Sequence, residues 1–175
     1  IVTSGLNRTS EIQTSASMIN VRPNGERPAL HVPGANGKLN WDDLDLDAIE
    51  QAKVLHMGGT SLLPDFDGEP TVRVLKYAQE HGVMTTFDQV ADKNAPLQEL
   101  IDPCLPYIDY FLPGFEEAQM ISGLEDEDEV VEYFIEGGVG HALFTMGEKG
   151  ALLAYSENGK IQKKQIPTHS VELVD

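Results

Sequence analysis

Ile108-Asp109-Tyr110-Phe111-Leu112 running into Pro113-Gly114-Phe115-Glu116-Glu117-Ala118, and later His141-Ala142-Leu143-Phe144-Thr145 running into Met146-Gly147-Glu148-Lys149-Gly150, decide the architecture of this chain. The stretch 108–150 reads strand, loop, helix, acidic helix, strand, loop. In an open α/β sheet, ligands collect at the carboxyl ends of the strands. A carboxylate pair after one strand and a Thr-x-Gly-x-x-Gly turn after the other are expected to be neighbours there. The first suits a hydrated metal ion and the second a phosphate.

Upstream, Val83–Phe87 reads as another strand, ending at Asp88. Lys53–Met57 is a further short strand, and Gly58-Gly59-Thr60-Ser61 reads as a loop where a ligand can approach the backbone. Between them, Asp67 is expected to cap a helix with Pro70 in its first turn and Val72, Leu75 and Ala78 inward. Gly82 suits its C′ position. Shorter helices are expected over Asp42–Gln51 and Leu97–Ile101, the latter closed by Asp102-Pro103. Helices over 115–121 and 126–136 follow the central strand, the second opening on Glu125–Glu129 at the positive end of its dipole. Four apolar strands separated by helical segments imply βαβ units and a mostly parallel sheet. The tail differs: Ala151–Tyr155, Ile161–Gln165 and Val171–Val174 read as antiparallel strands finishing the sheet.

At the other end, residues 7–13 read as a connector. Residues 14–32 alternate, with Ala16, Met18 and Val21 on one strand and Ala29, Leu30 and Val32 on the next. Pro23-Asn24-Gly25 between them is a hairpin signal. The alternation implies one covered face, against a partner subunit or a bound ligand. Pro33–Gly37 ends the hairpin with turn chemistry.

Composition limits the function classes. The chain has 175 residues, for which one domain is the expectation. Acids outnumber bases 29 to 12, for a formal net charge of −17. That argues against binding nucleic acid through its phosphates and against an anionic membrane surface. The single cysteine, Cys104, excludes an internal disulfide framework and a cysteine-based zinc site; it reads as a small buried hydrophobe. There is neither a transmembrane-length apolar run nor a signal peptide, so the cytoplasm is the default compartment. The chain opens at Ile1 and stops at Asp175 inside an apparent strand, so both ends are expected to be cuts in a longer protein.

Each candidate motif has a plainer explanation. Thr145–Gly150 also reads as a simple tight hairpin between 141–145 and 151–155. Glu116 and Glu117 also read as compensation of a helix dipole. Asp88 reads equally as a polar ligand or a loop cap. The five histidines lack metal-ligand spacing.

Order and spacing add what single motifs lack. The chain resembles the interior of a PfkB-family, ribokinase-like carbohydrate kinase over nearly its whole length. Ser15–Ile19 through Asn24-Gly25-Glu26-Arg27 and Gly34-Ala35-Asn36 resembles that family's lid hairpin, which closes over the sugar and often pairs with a second subunit. Phe87-Asp88 resembles its strand end, often Asp-Pro-Asn. Leu112–Ala118 resembles its Asn-x-x-Glu element, with Gly114 in the place of Asn. Thr145–Gly150 resembles its phosphate loop, and Val174-Asp175 the start of Val-Asp-Thr-Thr-Gly-Ala-Gly-Asp.

The resemblance implies a three-layer α/β fold: a mostly parallel sheet with helices on both faces, a β-hairpin lid over about 14–36, and a core over about 42–175 ending in antiparallel strands. It implies one incomplete kinase domain over 1–175 and ATP-dependent phosphorylation of a sugar hydroxyl with ATP and Mg²⁺. Thr145, Gly147 and Gly150 would face the nucleotide, Glu117 the magnesium through water, and Ala16, Asn36, Gly58, Gly59 and Asp88 the substrate. The catalytic aspartate is expected after Asp175, so the segment alone is expected to be inactive, and a homodimer through the hairpin is expected. Alternatives are a nucleoside or other small-alcohol kinase of the same family, or a non-catalytic sugar-binding or dimerising relative. A flavodoxin-like signalling domain is disfavoured by the antiparallel tail and the hairpin.

Overall fold

The computed structural model describes residues 5–90 and 92–169. Among these residues there are two sheets. The small one pairs β1 (Ala16–Ile19) with β2 (Ala29–Val32), antiparallel, Met18 opposite Leu30 and Ala16 opposite Val32. The large one has six strands: β3 (Val54–Thr60), β4 (Met84–Gln89), β5 (Tyr110–Phe111), β6 (His141–Thr145), β7 (Ala151–Glu157) and β8 (Lys160–Ile166). Their spatial order equals their chain order. β3 to β6 pair in parallel, and β7 and β8 add on antiparallel.

The helices follow from local chemistry. α2 (Glu69–Glu80) starts with proline in its first turn and ends before Gly82, whose φ is +72°. α4 (Phe115–Ser122) ends on left-handed Gly123, and α5 (Glu127–Glu136) is capped by Asp126, whose side chain accepts from the N–H groups of Asp128 and Glu129. α1 (Leu46–Glu50) and α3 (Leu97–Ile101) are single turns, and α3 runs on into a 3₁₀ helix over Asp102–Tyr107 rather than stopping at Pro103.

Strand order sets the layers. When successive parallel strands are neighbours, right-handed crossovers carry every connecting helix to the same face. Burial agrees. Phe87, Phe111, Ala142, Phe144, Leu152 and Ala154 alternate inward and pack with Val74 and Leu75 of α2, Ile101, Ile121 of α4, and Val130 and Phe134 of α5 in one cluster. Among the described residues the helices form one layer. On the other face Tyr110, His141 and Tyr155 stack across three strands, with ring centroids 4.8 and 5.6 Å apart.

Three details differ from the sequence reading; the exposed hairpin does not, since its cover is expected from a partner subunit or a ligand. Gly58, Gly59 and Thr60 belong to β3 instead of a loop, because the strand continues through a bulge. Asp67 does not cap α2; its N-cap is Gly68, with no side-chain cap. Each residue of the hairpin strands is exposed, Met18 at 70% and Leu30 at 74%, so nothing in the described chain covers the apolar face. The short central strand spans two residues where five were expected. The strand expected over 171–174 lies outside the described residues.

Candidate functional site at the carboxyl ends of the strands

Two clusters sit at the carboxyl ends of the parallel strands. The first lies between β3 and β4. Met57 pairs with Phe87 and Thr60 with Gln89, so Gly58 and Gly59 together oppose Asp88 alone. Two residues against one is a bulge, a device that re-aims backbone groups. Gly59 takes φ +83°, open to glycine at no steric cost. Asp88 is half-buried and accepts from the Gln89 N–H at 2.8 Å. Three positions singled out for substrate are thus adjacent. Ala16 and Asn36 lie in the hairpin module instead: Ala16 exposed on β1, Asn36 exposed in a 3₁₀ turn over Gly34–Lys38.

The second cluster lies between β5 and β6. The Thr145 N–H donates to the Pro113 carbonyl at 3.0 Å, and Gly114 and Thr145 form a parallel bridge. The start of α4 and the Thr145–Gly150 loop are therefore side by side. Glu117 turns back so that Oε2 accepts the Gly114 N–H at 2.7 Å. This is the dipole-compensating cap, and it leaves the second carboxylate oxygen without a partner in the described structure. Gly114 takes φ −64° and ψ 149°, open to any residue. Its glycine matters for space: a Cβ there would meet Glu117 Oε2 at 3.1 Å.

The loop itself is a tight turn. Met146 N–H donates to Gly150 O at 2.8 Å, and Gly150 N–H to Gly147 O at 3.0 Å. Gly150 takes φ +85°, and a Cβ there would lie 2.0 Å from the Ile166 carbonyl oxygen, so packing against β8 alone requires glycine. Gly147, at φ +55°, faces open space, and Thr145 is exposed. The turn closes β6 on β7 and presents Thr145 and Gly147 outward.

Thr60, Ser61, Asp67 and Gln89 take places that the sequence reading did not give them. Thr60 and Gln89 are buried, at 0% and 4% exposure, and the Thr60 hydroxyl and both amide atoms of Gln89 have no hydrogen-bond partner. Gln89 continues the inward alternation of Val83, Thr85 and Phe87, whereas Thr60 is turned inward only by the bulge. Ser61 takes φ +78°, and Asp67 accepts from the N–H groups of Ser61 and Leu63 at 3.1 and 3.0 Å. Burial pushes the Asp67 carboxyl up from its ordinary value, and those two donors only partly oppose the shift.

No cluster of three or more acidic, histidine or cysteine side chains able to hold a metal exists among the described residues. Magnesium keeps several waters and is usually bound by one or two carboxylates plus substrate phosphates. A lone carboxylate in the first turn of a helix, such as Glu117, fits that chemistry and would not suit a fully caged ion. No helix among the described residues is long and apolar enough to cross a membrane.

A ribokinase from Staphylococcus aureus is 26% identical over 182 aligned residues, covering 100% of this chain and 55% of the relative. A probable fructokinase-4 from Arabidopsis thaliana is 26% identical, covering 83% of this chain and 47% of its own length. The structure of an Arabidopsis thaliana ribokinase complexed with ribose and ATP superposes with a TM-score of 0.69 at 22% identity, over 89% of this chain and 49% of that one, a likeness of fold. The chain thus spans about half the length of these relatives. The model of the pfkB family of carbohydrate kinases matches residues 1–175, and the chain belongs to that family.

Proposed function

We propose that the full-length protein transfers the γ-phosphoryl group of ATP to a hydroxyl of a sugar. The observation that carries this reading is the parallel bridge between Gly114 and Thr145, which sets a carboxylate-bearing helix start beside a glycine loop at adjacent strand ends. Kinship with a ribokinase and a fructokinase supports a sugar as acceptor.

In phosphoryl transfer the protein contributes positioning and electrostatic stabilisation. Bound Mg·ATP would supply the phosphoryl group and neutralise its charge. The Thr145 hydroxyl and the backbone at Gly147 would receive the nucleotide phosphates, with Gly150 holding the turn in shape. Glu117 would orient magnesium-bound water while remaining tied to Gly114 N–H. The bulge at Gly58-Gly59 and the Asp88 carboxylate would face the acceptor. Ala16 and Asn36 would reach it from the hairpin, which would exclude water from the site. The aspartate that takes the hydroxyl proton lies beyond residue 175 in this reading, so residues 1–175 alone are inactive. The protein works in the cytoplasm, as a dimer joined through the hairpins.

The test is an ADP-release assay on the full-length protein with Mg·ATP across ribose, fructose, nucleosides and simple alcohols. Acceptor-dependent ADP release that falls at least tenfold in Thr145→Ala is expected. Turnover only with nucleosides or other alcohols would move the assignment to another acceptor within the family.

A second reading is a non-catalytic sugar binder that keeps the fold. Gly114 favours it, since the Asn expected there is missing and Glu117 is engaged in capping. Sugar binding by calorimetry without acceptor-dependent ADP release would establish it over the kinase.

A further inference from the structure

The carboxyl end of β3 is held in a conformation that its own hydrogen bonds do not explain. The strand bulges between Met57 and Thr60. Ser61, which is not glycine, sits at φ +78°. Thr60 and Gln89, paired across β3 and β4 at this level, are buried with unpartnered side chains. Buried polar groups are nearly always satisfied, and strained or unsatisfied groups persist only where their surroundings over-determine them.

One side chain supplies most of that determination. Asp67 uses its two oxygens separately: Oδ1 accepts from Ser61 N–H at 3.1 Å and Oδ2 from Leu63 N–H at 3.0 Å. The Asp67 N–H in turn donates to the Leu63 carbonyl at 2.7 Å, closing the loop on itself. Ser61 passes the constraint across the sheet, because its hydroxyl donates to the Val90 carbonyl just past β4. The Val90 N–H returns to the Thr60 carbonyl at 3.4 Å. A single carboxylate therefore sets the ends of both strands that carry Gly58, Gly59 and Asp88. It does not serve α2, whose N-cap is Gly68. Burial works against its charge, so the fold keeps a carboxylate where the loss of solvation disfavours one.

We propose that Asp67 is a positioning residue for the acceptor side of the site, fixing Ser61 so that the β3 bulge and Asp88 receive the acceptor hydroxyls in register. This rests on the kinase reading. It assigns Asp67 a one-sided effect, because the nucleotide loop after β6 is separated from β4 by β5.

The test uses the full-length protein with Asp67→Asn and Asp67→Ala. Asparagine has one acceptor oxygen and can keep one of the two bonds; alanine keeps neither. The acceptor KM is expected to rise at least tenfold in Asp67→Ala and by less in Asp67→Asn, with the ATP KM within twofold of wild type. Amide hydrogen exchange at Ser61 and Leu63 is expected to accelerate in both. If Asp67→Ala does not fold, Asp67→Asn carries the comparison. The inference is overturned if both KM values rise together, if exchange accelerates while acceptor KM stays unchanged, or if exchange is unaltered. A wild type without turnover sinks the kinase reading separately. Acceptor calorimetry on the same variants then decides: weakened binding sustains the role of Asp67, and equal binding, or none by wild type, overturns it.

Discussion

Glu117 has one observed role and one proposed role, and substitution can separate them. Its carboxylate caps α4 through Gly114 N–H, and in the proposed reaction its charge orients magnesium-bound water. Glu117→Gln keeps an acceptor oxygen and loses the charge. Its thermal midpoint is expected to stay within a few degrees of wild type, while Mg²⁺-dependent activity of the full-length protein falls at least tenfold. Glu117→Ala loses both, and is expected to be less stable by about 0.3–1 kcal/mol, the usual worth of a carboxylate in the first turn of a helix. Equal activity in wild type and Glu117→Gln would leave Glu117 a cap alone. The two loop glycines separate in the same way. Gly150→Ala drives a Cβ into the Ile166 carbonyl and is expected to lower the midpoint sharply, whereas Gly147→Ala meets no atom and carries only the strain of its φ. Cys104 is fully buried and its thiol is pushed up to about 12, by burial first and the nearby Asp67 second. Only the thiolate is nucleophilic. Iodoacetamide at pH 8 is therefore expected to leave the folded protein unlabelled at Cys104 and to label it once denaturant is added.

Elements were legible where one principle set them. His141–Thr145 and Leu97–Ile101 carry the bounds that apolar runs and turn residues indicate. α2 follows from helical spacing between a proline and a glycine. The end of β3 was not legible, because its shape is set across the sheet. Gly58-Gly59 reads as a loop until Thr60 is found paired with Gln89, and Asp67 reads as a cap until its oxygens are found on Ser61 and Leu63. The neighbourhood of Glu117 and Thr145 was legible, since it needs only parallel order and the strand-end rule. The cap between Glu117 and Gly114, and the contact between Gly150 and β8, needed coordinates. Within the helical layer, α5 carries the most buried aromatic contact with the sheet, through Phe134. Phe134 is fully buried, with ring centroids 4.9 Å from Phe111 and 5.8 Å from Phe144. Phe134→Ala is expected to cost about 3–5 kcal/mol, measurable by urea unfolding. Phe134→Leu fills most of the same space and is expected to cost less. Equal losses would place the ring's role in something other than volume.

At the scale of the molecule, the hairpin and the sheet differ in what they leave uncovered and in charge. On one face of the hairpin Ala16, Met18, Leu30 and Val32 share a side by register and are all exposed. A contiguous apolar surface of this kind marks an interaction site, and a two-stranded hairpin is marginal in water unless something packs on it. Residues 1–40 carry Arg8, Arg22, Arg27 and Lys38 against Glu11 and Glu26, in a chain whose net charge is −17. The excess acid therefore sits in the body. Two copies that meet hairpin to hairpin bring their apolar faces together and keep their acidic bodies apart; two bodies in contact would repel. A solution mass of twice the full-length chain is expected, falling to one chain in Met18→Asp and Leu30→Asp with the helical signal unchanged. Salt should also act in a definite direction. Screening weakens repulsion between the bodies, with a Debye length of about 10 Å at 0.1 M, and leaves the apolar contact intact. Dimerisation is expected to tighten between 50 mM and 500 mM NaCl. A wild-type protein monomeric at micromolar concentration would refute the dimer, and one that dissociates as salt rises would place charge pairs, not Met18 and Leu30, at the contact.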